Sequence, residues 1–265
     1  MSTLIVIPAR YASTRYPAKP LVALTGSTGE KKTLIRRSWD AAMSVEGDLR
    51  VVVATDDDRI KAEAESFGAE VVMTSPECRN GTERCAEAHA NLGGGFDYVV
   101  NLQGDAPLTP PWFIEALIEG IKGSDLDLAT PVLRCEGAML EALKEDRRND
   151  RVGGTTAVFG AAHQALYFSK EVVPFTGQTY APDAPTPVFH HVGAYAYRAE
   201  ALARYPEWEI GPLEQLEGLE QLRFLENGHD ILCVEVESKG RQFWELNNPS
   251  DVARIEAMMA EMGLA

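Results

Sequence analysis

Short apolar runs alternate with helix-like stretches along the first half of the chain. Strands with few polar residues are predicted for residues 4–7, 51–54, 71–73 and 98–102. Helices are predicted for residues 33–43, from the segment TDDDR (55–59) to Gly68, for residues 83–91, and from Pro110 and Pro111 onward. Strands that alternate with helices at this spacing form a parallel sheet with right-handed crossovers. The sequence therefore predicts an α/β fold with a mostly parallel central sheet and helices on both faces.

The second half of the chain is less regular. Helices are predicted for residues 138–150, 213–226 and 250–262, and strands or extended segments for residues 128–133, 155–159, 165–169, 188–197 and 231–236. Residues 173–187 are rich in proline and predict a surface loop. Because no long Pro/Gly/Ser linker separates the halves, we expect one domain over residues 1–265.

Composition and charge limit the classes of partner. No stretch approaches 18 uninterrupted apolar residues and the start carries no signal-peptide pattern, so we expect a cytoplasmic protein without a membrane partner. The four cysteines show no CxxC spacing, which favours free thiols in a reducing compartment. A net charge of −15 disfavours nucleic acid.

The loop after the first predicted strand is cationic. Residues 1–37 contain seven basic residues and one acidic residue, although the whole chain is acidic. Arg10, Arg15 and Lys19 supply positive charge to this loop, and Ser13 and Thr14 supply hydroxyl groups. The loop matches neither the dinucleotide-binding nor the Walker A pattern. Because phosphates bind after the first strand of such sheets, we expect this loop to bind a small polyanion.

A second polar segment, VVNLQGDAPL (99–108), follows the fourth predicted strand. Asp105 would lie where the phosphates are expected, and a carboxylate there needs a cation between itself and the phosphates. Mg²⁺ commonly binds through one or two carboxylates plus substrate phosphates. Gln103 is suited to pair with a base or a sugar hydroxyl. Gly104, which has no side chain, permits a ligand to approach the backbone closely.

Six segments together resemble one enzyme family. They are IPARYASTRYPAKPL (7–21), NGTERCAEA (80–88), VVNLQGDAPL (99–108), ALYFSK (165–170), HHVGAYAYR (190–198) and GPLEQLEGLEQLRFLENG (211–228). In this order they resemble the 3-deoxy-manno-octulosonate cytidylyltransferases, the CMP-Kdo synthetases. The resemblance implies a Rossmann-like nucleotide-diphospho-sugar transferase fold, with a nucleotide-binding half (1–135) and a sugar-binding and dimerisation half (136–265).

The resemblance also implies a reaction and its residues. CTP would be joined to an eight-carbon acidic sugar (Kdo), giving CMP-Kdo and pyrophosphate for lipopolysaccharide synthesis, in a homodimer that uses Mg²⁺. The matching positions imply that the nucleotide is bound by Arg10, Ser13, Arg15, Lys19, Arg84 and Gln103. They imply that the sugar acid is bound by Gln103, His191, Tyr195, Glu220 and Gln221. Catalysis would depend on Lys19, Arg15 and Asp105, with Asp105 as a metal ligand.

The C-terminal segment ELNNPSDV departs from the family pattern. Asn247 stands where the family has the first Asp of an Asp-x-Pro-x-Asp segment, a second metal ligand. Asn247 is a neutral ligand for Mg²⁺, and Glu245 is the alternative. The departure leaves two other functions open. One is a cytidylyltransferase for a related sugar, an 8-amino-octulosonate or a sialic-acid type, and the other is a non-catalytic nucleotide sensor.

Two local expectations concern the sugar side. His190 and His191 are adjacent in a predicted strand, so their side chains should point to opposite faces. Glu214, Glu217 and Glu220 are spaced to share one face of the helix predicted over residues 213–226.

Overall fold

The computed structural model describes residues 2–12, 16–241 and 244–264. The chain divides into two compact units, one formed by residues 1–115 and 239–265 and the other by residues 116–238. The assignment of one domain with halves at 1–135 and 136–265 stays a prediction.

The strands alternate with helices in the first half, as the sequence predicts. The strands of the described residues are, in chain order, β1 (Thr3–Ala9), β2 (Ala23–Thr25), β3 (Lys31–Thr33), β4 (Leu49–Thr55), β5 (Glu70–Met73), β6 (Tyr98–Leu102), β7 (Leu128–Glu136), β8 (Thr156–Phe159), β9 (Ala165–Ser169), β10 (Pro185–His191), β11 (Ala194–Arg198) and β12 (Ile231–Val236). The α-helices of the same residues are α1 (Leu34–Met43), α2 (Asp58–Ser66), α3 (Gly81–Asn91), α4 (Pro111–Lys122), α5 (Gly137–Arg148), α6 (Ala199–Arg204), α7 (Pro212–Glu217), α8 (Leu222–Glu226) and α9 (Asp251–Glu261). Within the described ranges, no helix combines the length and apolarity needed to cross a bilayer.

The first unit contains a parallel sheet with the strand order β5-β4-β1-β6. Every residue of β6 is buried, as are most of β1. A strand covered on both faces needs apolar side chains in succession, which explains the uninterrupted runs in the sequence. The same arrangement places the segments that follow β1 and β6 at one edge of the sheet.

Three helices in this unit begin at capping side chains. The side chains of Thr33, Asp57 and Asn80 accept hydrogen bonds from backbone N–H groups in the first turns of α1, α2 and α3, at 3.3, 2.9 and 2.9 Å. Such caps satisfy N–H groups that have no partner within the helix. The three predicted starts are thereby confirmed to within two residues.

The C-terminal helix belongs to the first unit because of its apolar face. This face packs with the β2–β3 hairpin and with the segment before α9 in one buried cluster, formed by Leu24, Leu34, Leu108, Leu246, Ile255, Met258 and Met259. Burial of these side chains fixes residues 244–248 beside the loop that follows β6.

The second unit is built around β7. Strand β12 pairs with β7 in parallel, whereas β10 and β11 pair with it antiparallel. Strand β8 extends the sheet antiparallel to β10, and β9 pairs with β8. The unit therefore places residues from β7, β10 and β11 close together.

The prediction of one helix over residues 213–226 is wrong. The chain forms two short helices, α7 and α8, because Gly218 adopts a left-handed conformation with φ of 62° that ends α7. Glu214 and Glu217 therefore do not share a helical face with Glu220, which lies in the turn between the helices.

The extended segment predicted over residues 188–197 is divided. Strand β10 ends at His191 and β11 begins at Ala194, because the N–H of Ala194 turns back to the carbonyl oxygen of Val192 at 2.7 Å. His190 and His191 both lie in β10, as predicted.

Candidate active site

The cationic loop is closed by its own backbone. The N–H of Ala18 donates to the carbonyl oxygen of Tyr11 at 3.0 Å, and Ala18 itself has a φ of 58°. Arg10 is exposed in this loop, and the guanidinium group of Arg59 lies 3.3 Å from the centre of the Tyr11 ring. Ser13 and Arg15 lie outside the described residues, so their assignment to the nucleotide stays a prediction.

Lys19 follows the loop and reaches the end of β6. Its Nζ donates to Oδ2 of Asp105 at 2.7 Å, and the two side chains are 14% and 23% exposed. Two segments that are 86 positions apart in the chain are thus joined by an ion pair. The ion pair places Asp105 beside the basic loop, and the binding of phosphates and Mg²⁺ between them stays a prediction.

The corner formed by Gln103, Gly104 and Asp105 has a defined shape. A Cβ atom at Gly104 would lie 2.9 Å from the carbonyl oxygen of Pro8, so only glycine fits without displacing the end of β1. The hydroxyl of Ser38 donates to the carbonyl oxygen of Gly104 at 3.2 Å. Strand β1 and helix α1 therefore hold the corner in place, and Gln103, its first residue, is half-buried.

The C-terminal segment lies against the same corner. The N–H of Leu246 donates to the carbonyl oxygen of Asp105 at 2.8 Å, which places Glu245 and Asn247 on either side of this contact. Nδ2 of Asn247 donates to Oε2 of Glu245 at 3.4 Å. Asp251 accepts from the backbone N–H groups of residues 247 and 248, so its carboxylate caps this turn.

The oxygen atoms at this corner are suited to Mg²⁺. Asp105 provides one carboxylate, and Glu245 and Asn247 provide a second carboxylate and an amide oxygen on the neighbouring segment. Mg²⁺ prefers such oxygen ligands and takes its remaining ligands from water and substrate phosphates. Across the part of the chain that the structure describes, no group of three or more His, Cys, Asp and Glu side chains is arranged to hold a metal by itself.

Arg84 lies in α3 and is almost completely buried. Its guanidinium group donates to Oγ1 of Thr74 at 2.5 Å and to Oδ2 of Asp56 at 3.1 Å. These bonds link α3 to the ends of β4 and β5 within the first unit. The assignment of Arg84 to the nucleotide stays a prediction, because its charge is compensated by Asp56 here.

His191 is held in the second unit by a hydroxyl group and aromatic rings. Its Nε2 lies 2.8 Å from Oγ1 of Thr130 in β7. The rings of Phe168 and Tyr195 lie 5.1 and 5.6 Å from the imidazole, centre to centre. Sequence reasoning missed Thr130, whose signal is a single hydroxyl residue inside the apolar run LATPVL.

Tyr195 and Gln221, which the resemblance assigns to the sugar acid, are hydrogen-bonded to each other, and their assignment stays a prediction. The hydroxyl of Tyr195 donates to Oε1 of Gln221 at 3.1 Å, and Gln221 is 2% exposed. Nε2 of Gln221 is buried and makes no hydrogen bond within the described residues. A buried amide donor of this kind is available to a ligand with acceptor oxygens.

The turn that carries Glu220 and Gln221 is fixed by a buried ion pair. The guanidinium group of Arg223 donates to both carboxylate oxygens of Glu214, each at 2.7 Å, and Arg223 is fully buried. The hydroxyl of Tyr205 donates to the carbonyl oxygen of Glu220 at 3.0 Å. Glu214, which the sequence placed on an acidic helical face, is therefore the buried partner of Arg223 instead.

Burial keeps both adjacent histidines uncharged. Desolvation lowers the pKa of His190 to about 4 and, together with the neighbouring His190, lowers the pKa of His191 to about 3. At neutral pH each ring is therefore neutral and carries one N–H.

These two pKa values predict acid sensitivity of the fold. The unfolded chain binds protons at both histidines below about pH 6.5, whereas the folded chain does not until its lower pKa values are reached. Stability is therefore full above pH 6.5 and falls as the pH is lowered. Between pH 7 and pH 5 we expect roughly 2 kcal/mol of unfolding free energy to be lost per histidine. Urea unfolding at both pH values would measure it, and His190→Gln should lose less than the wild type. An equal loss in the variant would contradict the assignment.

The comparisons with known proteins agree with this geometry. A family profile described as "Cytidylyltransferase" matches residues 4–231. The 3-deoxy-manno-octulosonate cytidylyltransferase of Maricaulis maris is 44% identical, over 99% of each chain. The 8-amino-3,8-dideoxy-manno-octulosonate cytidylyltransferase of Shewanella frigidimarina is 38% identical, over 98% of this chain and 99% of that one.

A solved structure resembles the whole chain. It is a CMP:2-keto-3-deoxy-manno-octonic acid synthetase complexed with CTP, with a TM-score of 0.83 and 31% identity over 99% of this chain and 100% of that chain. The predicted α/β fold class is confirmed by this likeness. The fold and the corner beside the basic loop define a nucleotidyltransferase of the cytidylyltransferase class. Within this class, the chain belongs to the 3-deoxy-manno-octulosonate cytidylyltransferase family.

Proposed function

We propose that this protein joins CTP to 3-deoxy-manno-octulosonate and releases pyrophosphate. The observation that carries the proposal is the corner after β6, where Asp105 bonds to Lys19 through its side chain and to Leu246 through its backbone. The Maricaulis maris relative, which is 44% identical, carries the same activity in its name.

The reaction is an in-line phosphoryl transfer. The anomeric hydroxyl oxygen of the sugar forms a bond to the α-phosphorus of CTP, and the bond from that phosphorus to the bridging oxygen of the β-phosphate breaks. Pyrophosphate leaves with the bonding electron pair, and the hydroxyl proton passes to water. Such transfers depend on positioning and charge neutralisation more than on covalent intermediates.

Lys19 and the arginines of the basic loop would bind the triphosphate. Lys19 is already oriented toward the corner by Asp105, and Arg10 is exposed for a ligand. As the β–γ group departs, its charge is stabilised by Lys19 and, as the resemblance implies, by Arg15. Gln103 is the first residue of the corner and is assigned to the base or to a sugar hydroxyl.

Asp105, together with Glu245 or Asn247, would hold Mg²⁺. When bound there, the ion supplies positive charge against the triphosphate and the carboxylate of the sugar acid. The chain itself contributes the rigid backbone contact from Leu246 to Asp105, which sets the spacing of these ligands.

The second Mg²⁺ ligand can be identified by substitutions that add or remove a carboxylate charge at positions 247 and 245. Asn247→Asp should lower the Mg²⁺ concentration for half-maximal binding by about tenfold, because a carboxylate replaces a neutral amide. Isothermal titration of Mg²⁺ into the protein with CTP measures this, and Glu245→Gln serves as the matched variant. An unchanged affinity in Asn247→Asp with weaker binding in Glu245→Gln would assign Glu245 instead.

The sugar acid would be bound by the second unit. Nε2 of Gln221 is a buried donor suited to carboxylate oxygens, and His191, Tyr195 and Glu220 provide further polar atoms. Homodimer formation also belongs to the proposal. It is supported by large apolar side chains that are more than half exposed in this unit, namely Val152, Leu166, Phe175 and Leu216. A cytoplasmic location and a role in lipopolysaccharide synthesis remain part of the same proposal.

The acceptor is tested by comparing sugar acids. Pyrophosphate release with CTP and Mg²⁺ should be fastest with 3-deoxy-manno-octulosonate and slower with its 8-amino analogue and with a sialic acid. Faster turnover of the 8-amino sugar would place the chain with the Shewanella frigidimarina relative. Binding of CTP without release of pyrophosphate in the presence of any of these acids would support a nucleotide sensor.

A further inference from the structure

The hydrogen atoms shared by Thr130 and His191 follow from their neighbours. Oγ1 of Thr130 lies 2.8 Å from Nε2 of His191 and 2.9 Å from the carbonyl oxygen of Ala194. A threonine hydroxyl has one hydrogen atom to donate, and a carbonyl oxygen can only accept. The hydroxyl hydrogen therefore lies toward Ala194.

The third neighbour of this hydroxyl is also a carbonyl oxygen, so it does not change the role of Oγ1 toward His191. The carbonyl oxygen of Val192 is 3.4 Å from Oγ1 and already accepts the N–H of Ala194 at 2.7 Å. Because the hydroxyl hydrogen is donated to a carbonyl oxygen, Oγ1 of Thr130 acts as the hydrogen-bond acceptor toward Nε2 of His191. Nε2 must then carry the imidazole hydrogen.

The other ring nitrogen is consequently a lone-pair acceptor. The imidazole packs against the rings of Phe168 and Tyr195 and makes no ion pair within residues 2–12, 16–241 and 244–264, which favours its uncharged form. In the same residues, Nδ1 has no hydrogen-bond donor, and His191 keeps 6% exposure. Nδ1 is the ring nitrogen that remains for a ligand.

We propose that Thr130 is a positioning residue for the sugar acid. It holds His191 as the Nε2–H tautomer, so that Nδ1 accepts a hydrogen bond from a hydroxyl group of the sugar. The histidine therefore accepts a hydrogen bond from a hydroxyl group of the sugar. The carboxylate of the sugar is bound by donors such as Nε2 of Gln221. This inference rests on the proposed function.

The tautomer is measured on the wild-type protein. Long-range ¹H–¹⁵N NMR, assigned with a His191→Asn variant, should show a protonated Nε2 and an unprotonated Nδ1. Addition of 3-deoxy-manno-octulosonate should move the Nδ1 resonance toward the position of a hydrogen-bonded acceptor. A protonated Nδ1, or an Nδ1 resonance that the sugar leaves unchanged, would overturn the inference.

Substitutions distinguish a role of Thr130 in positioning His191 from a role in stabilising the fold. In Thr130→Val the two ring nitrogens should shift toward a mixture of tautomers, and KM for the sugar acid should rise about tenfold with KM for CTP unchanged. Thr130→Ser should restore both readouts. Thr186→Val is the matched control, since this buried hydroxyl donates to the carbonyl oxygen of Cys135 at 2.8 Å and meets no histidine.

The outcomes distinguish this inference from the proposed function. If Thr130→Val and Thr186→Val raise KM for the sugar equally, Thr130 has only a structural role. If the wild type turns over none of the sugar acids, the proposed function fails, while the NMR spectrum still decides the tautomer.

Discussion

Replacing Asp105 with asparagine is expected to lower kcat by roughly 10³-fold, because the corner loses its carboxylate while keeping its shape. The lost charge removes the carboxylate that we propose holds Mg²⁺, and it removes the partner that orients Lys19 at 2.7 Å. The backbone bond to Leu246 does not involve the side chain, so the fold should persist. Pyrophosphate release under saturating CTP measures the effect.

The control for this variant is a carboxylate outside the site. Asp48 is exposed, and Asp48→Asn should leave kcat within about twofold, since an exposed charge contributes little. The two variants should melt within a few degrees of the wild type. Asp105→Asn with near-normal turnover would remove Asp105 from the mechanism.

Replacing Arg223 with methionine is expected to cost about 3–5 kcal/mol of unfolding free energy. The change leaves the carboxylate of Glu214 buried without its two hydrogen bonds from the guanidinium group. The stacking of Arg223 over the Tyr205 ring, at 4.2 Å, is also lost. Urea unfolding followed by circular dichroism measures the loss.

Two further variants decide whether the buried charge causes this loss. Arg223→Met combined with Glu214→Leu should recover part of the stability, because no uncompensated carboxylate remains. Arg204→Met, at an exposed position in the last turn of α6, should change stability by less than about 0.5 kcal/mol. An equal cost at Arg204 and Arg223 would contradict the role given to the ion pair.

The strands of the first unit could be predicted from the sequence because both of their faces are buried. Strands β1 and β6 need successive apolar side chains, and the capping residues before α1 and α2 mark where helices begin. The prediction of a helix over residues 213–226 failed because the periodicity continues through Gly218, a residue that readily adopts the left-handed conformation that ends α7.

Only part of the candidate active site could be predicted from the sequence. The resemblance and the charges of the loop and corner pointed to Lys19 and Asp105, and the structure joins them. The bond from Leu246 to Asp105 depends on how α9 packs, which no local pattern reveals. Thr130 meets His191 across two strands whose pairing is likewise absent from the local sequence.

The most direct measurement is a crystal structure of the protein with CTP and Mg²⁺. We expect the triphosphate to contact Lys19 and the basic loop, with the ion bound to Asp105 and Lys19 turned from this carboxylate toward phosphate oxygens. A nucleotide bound away from this corner, with the Lys19–Asp105 pair still intact, would contradict the account.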